Sequence, residues 1–571
     1  MKTINNNQLR IKNVNENVTL YGWVHNIRKF KKMFFLDLRD RWGITQVVYD
    51  PEQINITLTK ESIIKVEGIV LERKSYNNNI ATGQIEVSAS NIQLLSKSKE
   101  LPFEINDDIN VSEELRLKYR FLDLKRDKLK NNIIFKHRVF KHLRDFLDEN
   151  DFIDIETPIL SKSTPEGARD FLVPTRKEGQ FFALPQSPQL FKQILMVSGF
   201  EKYYQFAKVF RDEDLRKDRQ FEFYQLDMEM SFVDEKDIQE FVEKMMFYLF
   251  EKLNIKIKVP FLKINYDDAI ENYGSDKPDL RFENKLIKAD ELFDKNEFLF
   301  SNTTTKTIFL ENYEINKKQF KHLDEITRKN KGNRLLYLTI KNQEITFASF
   351  KIQNFEKIQN FITKNKFKNG TLFLVNDTYE NTCQSLGALR NELGTMFDLI
   401  GENKNTYKFA WIVNWPMFEY DEEAKRYSAA HHPFTMFQEE SLKFYKEKPH
   451  LARAKAYDLV LNGFEIAGGS IRINDSEIQK SMFEIISMTE KTMQSQFGFF
   501  LKALEYGVPP HGGIAFGLDR LIMILTNSES IRDVIPFPVN SKGINLMIDS
   551  PSAITKEQLE EYFLKIKENK H

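Results

Sequence analysis

Tyr203-Tyr204-Gln205-Phe206-Ala207-Lys208-Val209-Phe210-Arg211-Asp212-Glu213-Asp214-Leu215-Arg216-Lys217-Asp218-Arg219-Gln220-Phe221-Glu222-Phe223-Tyr224-Gln225-Leu226-Asp227-Met228-Glu229 is two apolar runs joined by a highly charged segment. The runs Tyr203–Phe210 and Phe221–Phe232 read as strands of a hairpin with a long loop. Strand alternation puts Phe223, Gln225, Asp227 and Glu229 on one face. At ~3.3 Å per residue, Phe223 and Asp227 lie about 13 Å apart. That span suits a ligand with an aromatic-stacking end and a cationic end, such as a nucleotide joined to an amino acid. Taken alone, the cluster reads first as a charged surface hairpin.

Two later clusters have the same flavour. In Gly512-Gly513-Ile514-Ala515-Phe516-Gly517-Leu518-Asp519-Arg520-Leu521 the glycines allow a backbone to approach a ligand closely. The run Leu518–Leu525 looks helical, with Arg520 in its first turn, where it can reach a phosphate or stack on a base. In Tyr457–Arg472, Asp458 and Glu465 flank an Asn462-Gly463 hairpin turn. Two carboxylates across a hairpin can hold Mg²⁺, which takes one or two carboxylates plus substrate phosphates; surface solvation is the plainer reading of either acid alone. Strict alternation sets Glu465 and Arg472 on opposite faces, and a bulge at Gly468-Gly469 would restore a common one.

Outward from these clusters, the first hundred residues alternate in short runs. Val18–Val24, Met33–Leu38, Thr45–Tyr49, Ile63–Leu71 and Gln84–Ala89 each read as a strand. Five short strands without a long helix suggest an oligonucleotide-binding (OB) barrel. Leu101-Pro102-Phe103 begins a linker. Asn131–Asn150 has a helical period, with Phe135, Val139, Leu143 and Phe146 on one face. Ile153–Leu160 reads as a strand interrupted by Pro158. From about Ile287 to Gly401 the catalytic-looking clusters vanish, and helix and strand signals alternate. The expected architecture is therefore α+β and multidomain: a barrel over 1–103, a catalytic domain over 104–286 and 406–571, and an inserted α+β domain over 287–405.

Bulk composition fits a soluble enzyme. The 571 residues predict about three or four domains, and Lys plus Arg (83) balances Asp plus Glu (83). A protein that coats nucleic acid through net charge is disfavoured, while a local basic patch is not. The lone Cys383 allows no intramolecular disulfide and no cysteine-based metal site. Met1-Lys2-Thr3-Ile4-Asn5-Asn6 is not an apolar leader, and no run of about 18 apolar residues occurs. A cytoplasmic location is expected.

In this order the three clusters resemble the second and third signature motifs of class II aminoacyl-tRNA synthetases, with a carboxylate strand between them. The Pro158 segment resembles the first motif, which implies a homodimer. The fuller resemblance is to bacterial-type aspartyl-tRNA synthetases of subclass IIb. It rests on Thr164-Pro165-Glu166-Gly167-Ala168-Arg169-Asp170, Leu184–Gln193, Tyr273–Arg281, His431-His432-Pro433-Phe434-Thr435 and Gly469–Arg472, and runs essentially end to end. It extends to the barrel and to an insert of the GAD-like kind. Phe221 stands where the family has proline.

The resemblance implies ATP-dependent joining of L-aspartate to tRNA(Asp). Lys192 and Arg472 would select the side-chain carboxylate, an Arg gripping it with two hydrogen bonds. Glu166, Ser187, Gln189 and Asp227 would hold the ammonium, with His431 or His432 near the amino acid. Arg211 would bridge the α-carboxylate and α-phosphate, and Phe223 and Arg520 would sandwich the adenine. Asp212, Glu213, Gln220, Gly517, Leu518 and Asp519 complete the implied ATP site; Asp458 and Glu465 would hold Mg²⁺. Arg211, Glu465 and Arg520 are the implied catalytic groups. On the barrel, Phe35 is the implied stacking platform for an anticodon base, Gln46 and Glu86 read base edges, and Arg28, Phe30 and the neighbouring lysines meet the phosphates and loop. Histidine at the place of Phe30 often accompanies dual specificity in the family, so this chain leans toward tRNA(Asp) alone, with tRNA(Asn) as the alternative. An asparagine-specific relative would not need two cations, and a silent RNA-binding paralogue would have lost Arg211, Glu213, Glu465 and Arg520.

Overall fold

In the computed structural model, residues 4–164, 168–293 and 303–567 are described. The chain divides into two compact units, 1–113 and 114–571.

The first unit is a closed five-stranded barrel. Its strands β1 (Asn17–Phe30), β2 (Met33–Arg39), β3 (Ile44–Tyr49), β4 (Ile63–Glu72) and β5 (Ile85–Ser96) close in the order β1-β2-β3-β5-β4. Period-2 patterning fills the interior with Leu20, Val24, Leu36, Leu38, Val47, Ile64, Val66 and Val87, all fully buried. Phe34 packs against this core and meets Tyr49 edge to face. Phe35 therefore points the other way and stays half-buried outside it.

The second unit is built on an eight-stranded sheet. In spatial order its strands are Leu262–Asn265, Phe409–Val413, Ala456–Leu461, Phe464–Ile471, His511–Gly517, Glu222–Ser231, Lys202–Phe210 and Ile153–Asp154. The six inner strands pair antiparallel, and only the two edge strands run parallel to their neighbours. The helices Asp127–Asp148, Glu235–Lys252 and Leu518–Leu525 cover one face. Val139, Leu143, Val242, Met246, Leu249, Leu521 and Ile522 pack there against Leu226, Met228, Trp411, Ile514 and Phe516. Phe223, Gln225, Asp227 and Glu229 occupy the alternate positions and face away.

The Pro158 segment differs from the expected strand. Only Ile153–Asp154 pairs with the sheet, and the Ile155 N–H makes one further bond to the Tyr204 carbonyl. Pro158 has no N–H to donate to a ladder, and pairing ends before it. Beyond it Ile159 and Leu160 are both more than half exposed.

The composition shift after Ile287 falls on a separate antiparallel sheet. Its strands, in order, are Ile287–Lys288, Thr304–Glu311, Gly370–Asp377, Leu336–Lys341 and Glu344–Ala348. The helices Lys317–Lys329 and Tyr379–Met396 pack through Leu323, Leu386, Leu389 and Leu393. Phe355–Lys364 packs through Ile358, Phe361 and Ile362 in a second cluster. No helix among the described residues is long and apolar enough to cross a membrane.

Candidate active site

Four charges meet on the open face of the eight-stranded sheet. Lys192 sits on the helix Gln189–Val197, which follows Pro188. Its Nζ lies 2.6 Å from Asp227 Oδ1 and 3.2 Å from Glu229 Oε2. Arg472 donates from Nε to Glu229 Oε1 at 2.9 Å and from Nη2 to Oε2 at 3.2 Å. All four side chains are 2% exposed or less. Burial pushes the Asp227 carboxyl up, against the pull of Lys192. Burial also opposes the charge on Glu229, but Arg472 and Lys192 together hold that carboxyl below the usual range. Glu229, which sequence reading put on this face without giving it a role, thus ties the two cations together. Gly513 makes room for it: a Cβ there would collide with the Glu229 carboxylate, and one at Gly512 would press on Ile471. Those two glycines serve packing rather than approach to a ligand.

The paired histidines separate. His432 Nε2 accepts from Arg472 Nη1, and Nδ1 lies 3.2 Å from Thr435 Oγ1. The Phe434 N–H also donates to Nδ1 at 3.2 Å, so both ring nitrogens face donors, a setting that suits the neutral imidazole. Burial, then the adjacent charge of Arg472, drives this imidazole well below its ordinary value. His431 turns instead to Asp458, with Nε2 3.1 Å from Oδ1, and stands edge-on to Trp415. Burial would lower His431, but Asp458 turns its shift upward. Of the two, His432 joins the Arg472 cluster and His431 the carboxylate pair.

Asp458 and Glu465 come together across the hairpin. Asn462 and Gly463 adopt φ of 52° and 87°, the positive pair a tight two-residue turn requires. The bulge that brings Glu465 to the face of Arg472 lies two residues before its expected place. Val460 pairs with Glu465 and Leu459 with Ala467, so Ile466 is the extra residue, while Gly468 and Gly469 pair regularly. These glycines answer to crowding. A Cβ at Gly468 would lie 2.9 Å from Asp458 Oδ1 and 3.8 Å from Glu465 Oε1, and one at Gly469 would strike the Gly513 carbonyl. Burial, and next the charge of Asp458, raise Glu465. A buried Asp458 and a half-buried Glu465 that repel each other, the latter lining a cavity, are a donor set that fits a divalent cation. Among the described residues no group of three or more such donors forms a closed metal site.

That cavity is lined by Arg211, Glu213, Gln220, Phe223, Gln225, Glu465, Gly517 and Arg520. The Arg211 guanidinium stands 5.3 Å from the Phe223 ring centroid. Arg219 pairs with Glu213 at 2.6 Å. Gln220 exchanges hydrogen bonds with the backbone of Val539. Arg520 donates to the Glu465 carbonyl at 2.6 Å and pairs with Asp218 at 3.2 Å. Phe221 meets Phe171 edge to face, outside the lining. Three expected members lie elsewhere. Leu518 is wholly buried in the core, and Asp519 binds Lys136 and accepts the Tyr224 N–H at 2.8 Å. Helical geometry explains this: residues after Gly517 turn by about 100° each, so only some reach the cavity. Asp212 bridges to Arg169 and is not among the lining residues.

At the start of the helix that carries Lys192, Ser187 Oγ accepts the Gln189 N–H, and Gln189 Nε2 is buried with no hydrogen-bond partner. Gln186 grips the preceding loop, exchanging hydrogen bonds with the Ala168 backbone at 3.0 and 2.8 Å. Glu166 lies outside the described residues.

On the barrel, Arg28 makes a two-point pair with Asp37 at 2.5 and 2.7 Å. Gln46 accepts from Arg28 and Arg73, and donates to Glu86 at 2.7 Å. Phe35 lies opposite Arg28 in register and Val48 on its other side. Phe30 is 64% exposed, with Lys31 5.5 Å from its ring centroid. A half-exposed ring among hydrogen-bonding side chains on this face is the OB arrangement for unstacked bases. Asp37 and Arg73 joined this cluster unforeseen; the period-2 pattern alone could have pointed to Asp37.

Comparison with known proteins agrees with this geometry. A family model for class II tRNA synthetases (D, K and N) matches residues 112–541, and one for the OB-fold nucleic acid binding domain matches 18–95. The chain is 47% identical over 565 residues to the aspartate--tRNA ligase of Malacoplasma penetrans (strain HF-2), covering 97% of each chain. It is 45% identical over 577 residues to the aspartate--tRNA(Asp/Asn) ligase of Thermoanaerobacter pseudethanolicus, covering 98% of this chain and 97% of that one. The crystal structure of asparaginyl-tRNA synthetase from Pyrococcus horikoshii with asparaginyl-adenylate superposes with a TM-score of 0.59 at 18% identity, over 94% of this chain and 98% of the other, a likeness of fold. By motif order, sheet topology and similarity along nearly its whole length, the chain belongs to the class II aminoacyl-tRNA synthetases, in the family of the aspartate--tRNA ligases.

Proposed function

We propose that this chain activates L-aspartate with ATP and transfers it to the 3′-terminal ribose of tRNA(Asp), as a cytoplasmic homodimer. The observation that carries the reading is the buried Lys192–Glu229–Arg472 cluster beside Asp227, on the strand face that also carries the cavity-lining Phe223. Two cations suit the aspartate side-chain carboxylate, and Asp227, with Gln189, Ser187 and Glu166, suits its ammonium. An asparagine side chain has no charge to justify both cations.

The α-carboxylate oxygen bonds to the α-phosphorus of ATP as the bond to pyrophosphate breaks. No protein nucleophile takes part, so positioning and charge stabilisation supply the rate. Arg211 holds the α-carboxylate against the α-phosphate, and Phe223 and Arg520 flank the adenine. Glu213, Gln220 and Gly517 shape the rest of the nucleotide site. Asp458 and Glu465 would hold Mg²⁺, which neutralises phosphate charge when bound. The ribose 3′ hydroxyl then bonds to the activated carbonyl carbon, and AMP leaves. On the barrel, Phe35 stacks an anticodon base while Arg28, Gln46 and Glu86 meet base edges and backbone.

The test is aspartate-dependent exchange of pyrophosphate into ATP, followed by charging of purified tRNA(Asp) and tRNA(Asn) side by side. Exchange with aspartate and not asparagine is expected. Exchange that ignores aspartate would overturn the reading. Phe30 lacks the hydrogen-bonding capacity of an imidazole, so charging of tRNA(Asp) is expected to exceed that of tRNA(Asn). The Thermoanaerobacter relative, named for both tRNAs, motivates the second reading. Equal charging would establish it, and Phe30→His is expected to move the ratio toward unity.

A further inference from the structure

The Asn462–Gly463 turn joins the two strands that carry Asp458 and Glu465, and both chain crossings of the inserted domain converge on it. On the outgoing side, a Cβ at Gly463 would lie 3.2 Å from the Asp279 Cβ, so the turn packs directly on the segment leading into the insert. On the returning side, Asn462 Nδ2 donates to the Thr406 carbonyl at 2.8 Å, and its Oδ1 accepts the Lys408 N–H at 2.9 Å. The Asn462 N–H bonds the Lys408 carbonyl at 3.2 Å.

The outgoing segment is itself held from within the insert. Arg390, on the helix Tyr379–Met396, donates from Nη2 to the Asp279 and Phe282 carbonyls at 2.9 and 2.8 Å, and from Nε to the Asn284 carbonyl at 2.5 Å. Its guanidinium stands 4.0 Å from the Phe282 ring centroid, and the residue is 1% exposed. A buried arginine spent on three backbone carbonyls of one loop fixes that loop's shape. The same helix meets the start of the segment backbone to backbone, where a Cβ at Gly387 would collide with the Gly274 carbonyl.

We infer that the insert acts in amino-acid activation by setting the spacing of the Asp458–Glu465 carboxylates, with Arg390 and Asn462 as positioning residues acting through the Asn462–Gly463 turn. The inference rests on the proposed reading of those two acids as the divalent-cation site. It gives the insert a part in the first half-reaction, independent of tRNA. Support from both sides of the turn holds the carboxylates close despite their repulsion. Loss of support from either side lets them part.

The test uses full-length Arg390→Gln and Asn462→Gly. Glycine keeps the positive φ of the turn and removes only the side-chain grip, so this variant retains the means to fold even if the first does not. Mn²⁺ binding in the presence of a non-hydrolysable ATP analogue is read from the free-ion electron paramagnetic resonance signal, and aspartate binding by calorimetry. Both variants are expected to weaken Mn²⁺ by about tenfold, the usual scale for groups that orient metal ligands, with aspartate binding unchanged. The Mg²⁺ needed for half-maximal pyrophosphate exchange is expected to rise in step. Unchanged Mn²⁺ affinity in folded Asn462→Gly would overturn the inference, as would equal losses in Mn²⁺ and aspartate binding, which mark general loosening. Wild-type protein that fails to bind Mn²⁺ at all would instead refute the underlying metal assignment.

Discussion

Glu229 accepts two hydrogen bonds from Arg472, at 2.9 and 3.2 Å, and its Oε2 also stands 3.2 Å from Lys192 Nζ. One buried acid thus holds two cations together on the open face of the sheet. Isolated buried charges are costly, and a pair that loses one partner is costlier still. The arrangement keeps both basic side chains buried and paired.

Arg472→Leu follows directly. It leaves Glu229 buried with Lys192 alone and removes the donor proposed to meet the substrate carboxylate. Folding stability is expected to fall by ~3–5 kcal/mol, and aspartate-dependent pyrophosphate exchange to be lost while ATP still binds. Denaturant melts and exchange kinetics measure the two effects. Near-normal aspartate kinetics would refute the pocket.

His432 gives a pH signature. Its folded pKa lies below the unfolded value of about 6.5. Its contribution to stability is therefore complete above that value and is lost as pH falls through it, because the unfolded chain binds the proton first. His511, also lowered by burial, acts in the same direction. Each imidazole adds a slope of up to about 1.4 kcal/mol per pH unit below 6.5. Melting curves at pH 7.5 and 5.5 are expected to show the loss, and His432→Gln to shrink it. An identical pH dependence in wild type and variant would contradict the neutral assignment.

Phe35→Ala separates the barrel from the chemistry. Loss of one stacking platform costs ~1–3 kcal/mol per base. Charging of tRNA(Asp) should weaken by that amount while pyrophosphate exchange stays constant. If both fell together, Phe35 would not be an anticodon contact.

Ile159 and Leu160 test the assembly. Both are more than half exposed beyond Pro158, beside a strand of only two residues. Burial in the proposed homodimer would account for apolar side chains that gain nothing in solvent. Sedimentation is expected to give a dimer for the wild type and a monomer for Ile159→Asp/Leu160→Asp. An active wild-type monomer would dismiss the dimer, and Pro158→Gly is expected to loosen it.

Periodicity and local turn chemistry were enough to read the five barrel strands, the hairpin around Arg211–Gln220, the helix beginning at Leu518 and the Asn462-Gly463 turn. Each is a local property: alternation of apolar side chains, or a positive φ that Asn and Gly tolerate. The residues proposed for carboxylate and phosphate recognition were named from the resemblance of their motifs, not from periodicity. Contacts between distant segments were not legible. That Glu229 ties Lys192 to Arg472, that His432 rather than His431 reaches Arg472, and that Asp519 serves Lys136 and Tyr224 all depend on which strands become neighbours. The bulge at Ile466 depends on ladder register between two strands. The grip of Arg390 and Asn462 on one turn joins residues far apart in the chain. Sequence patterns encode which face a side chain takes; only the packed sheet decides which charges share that face closely enough to act together.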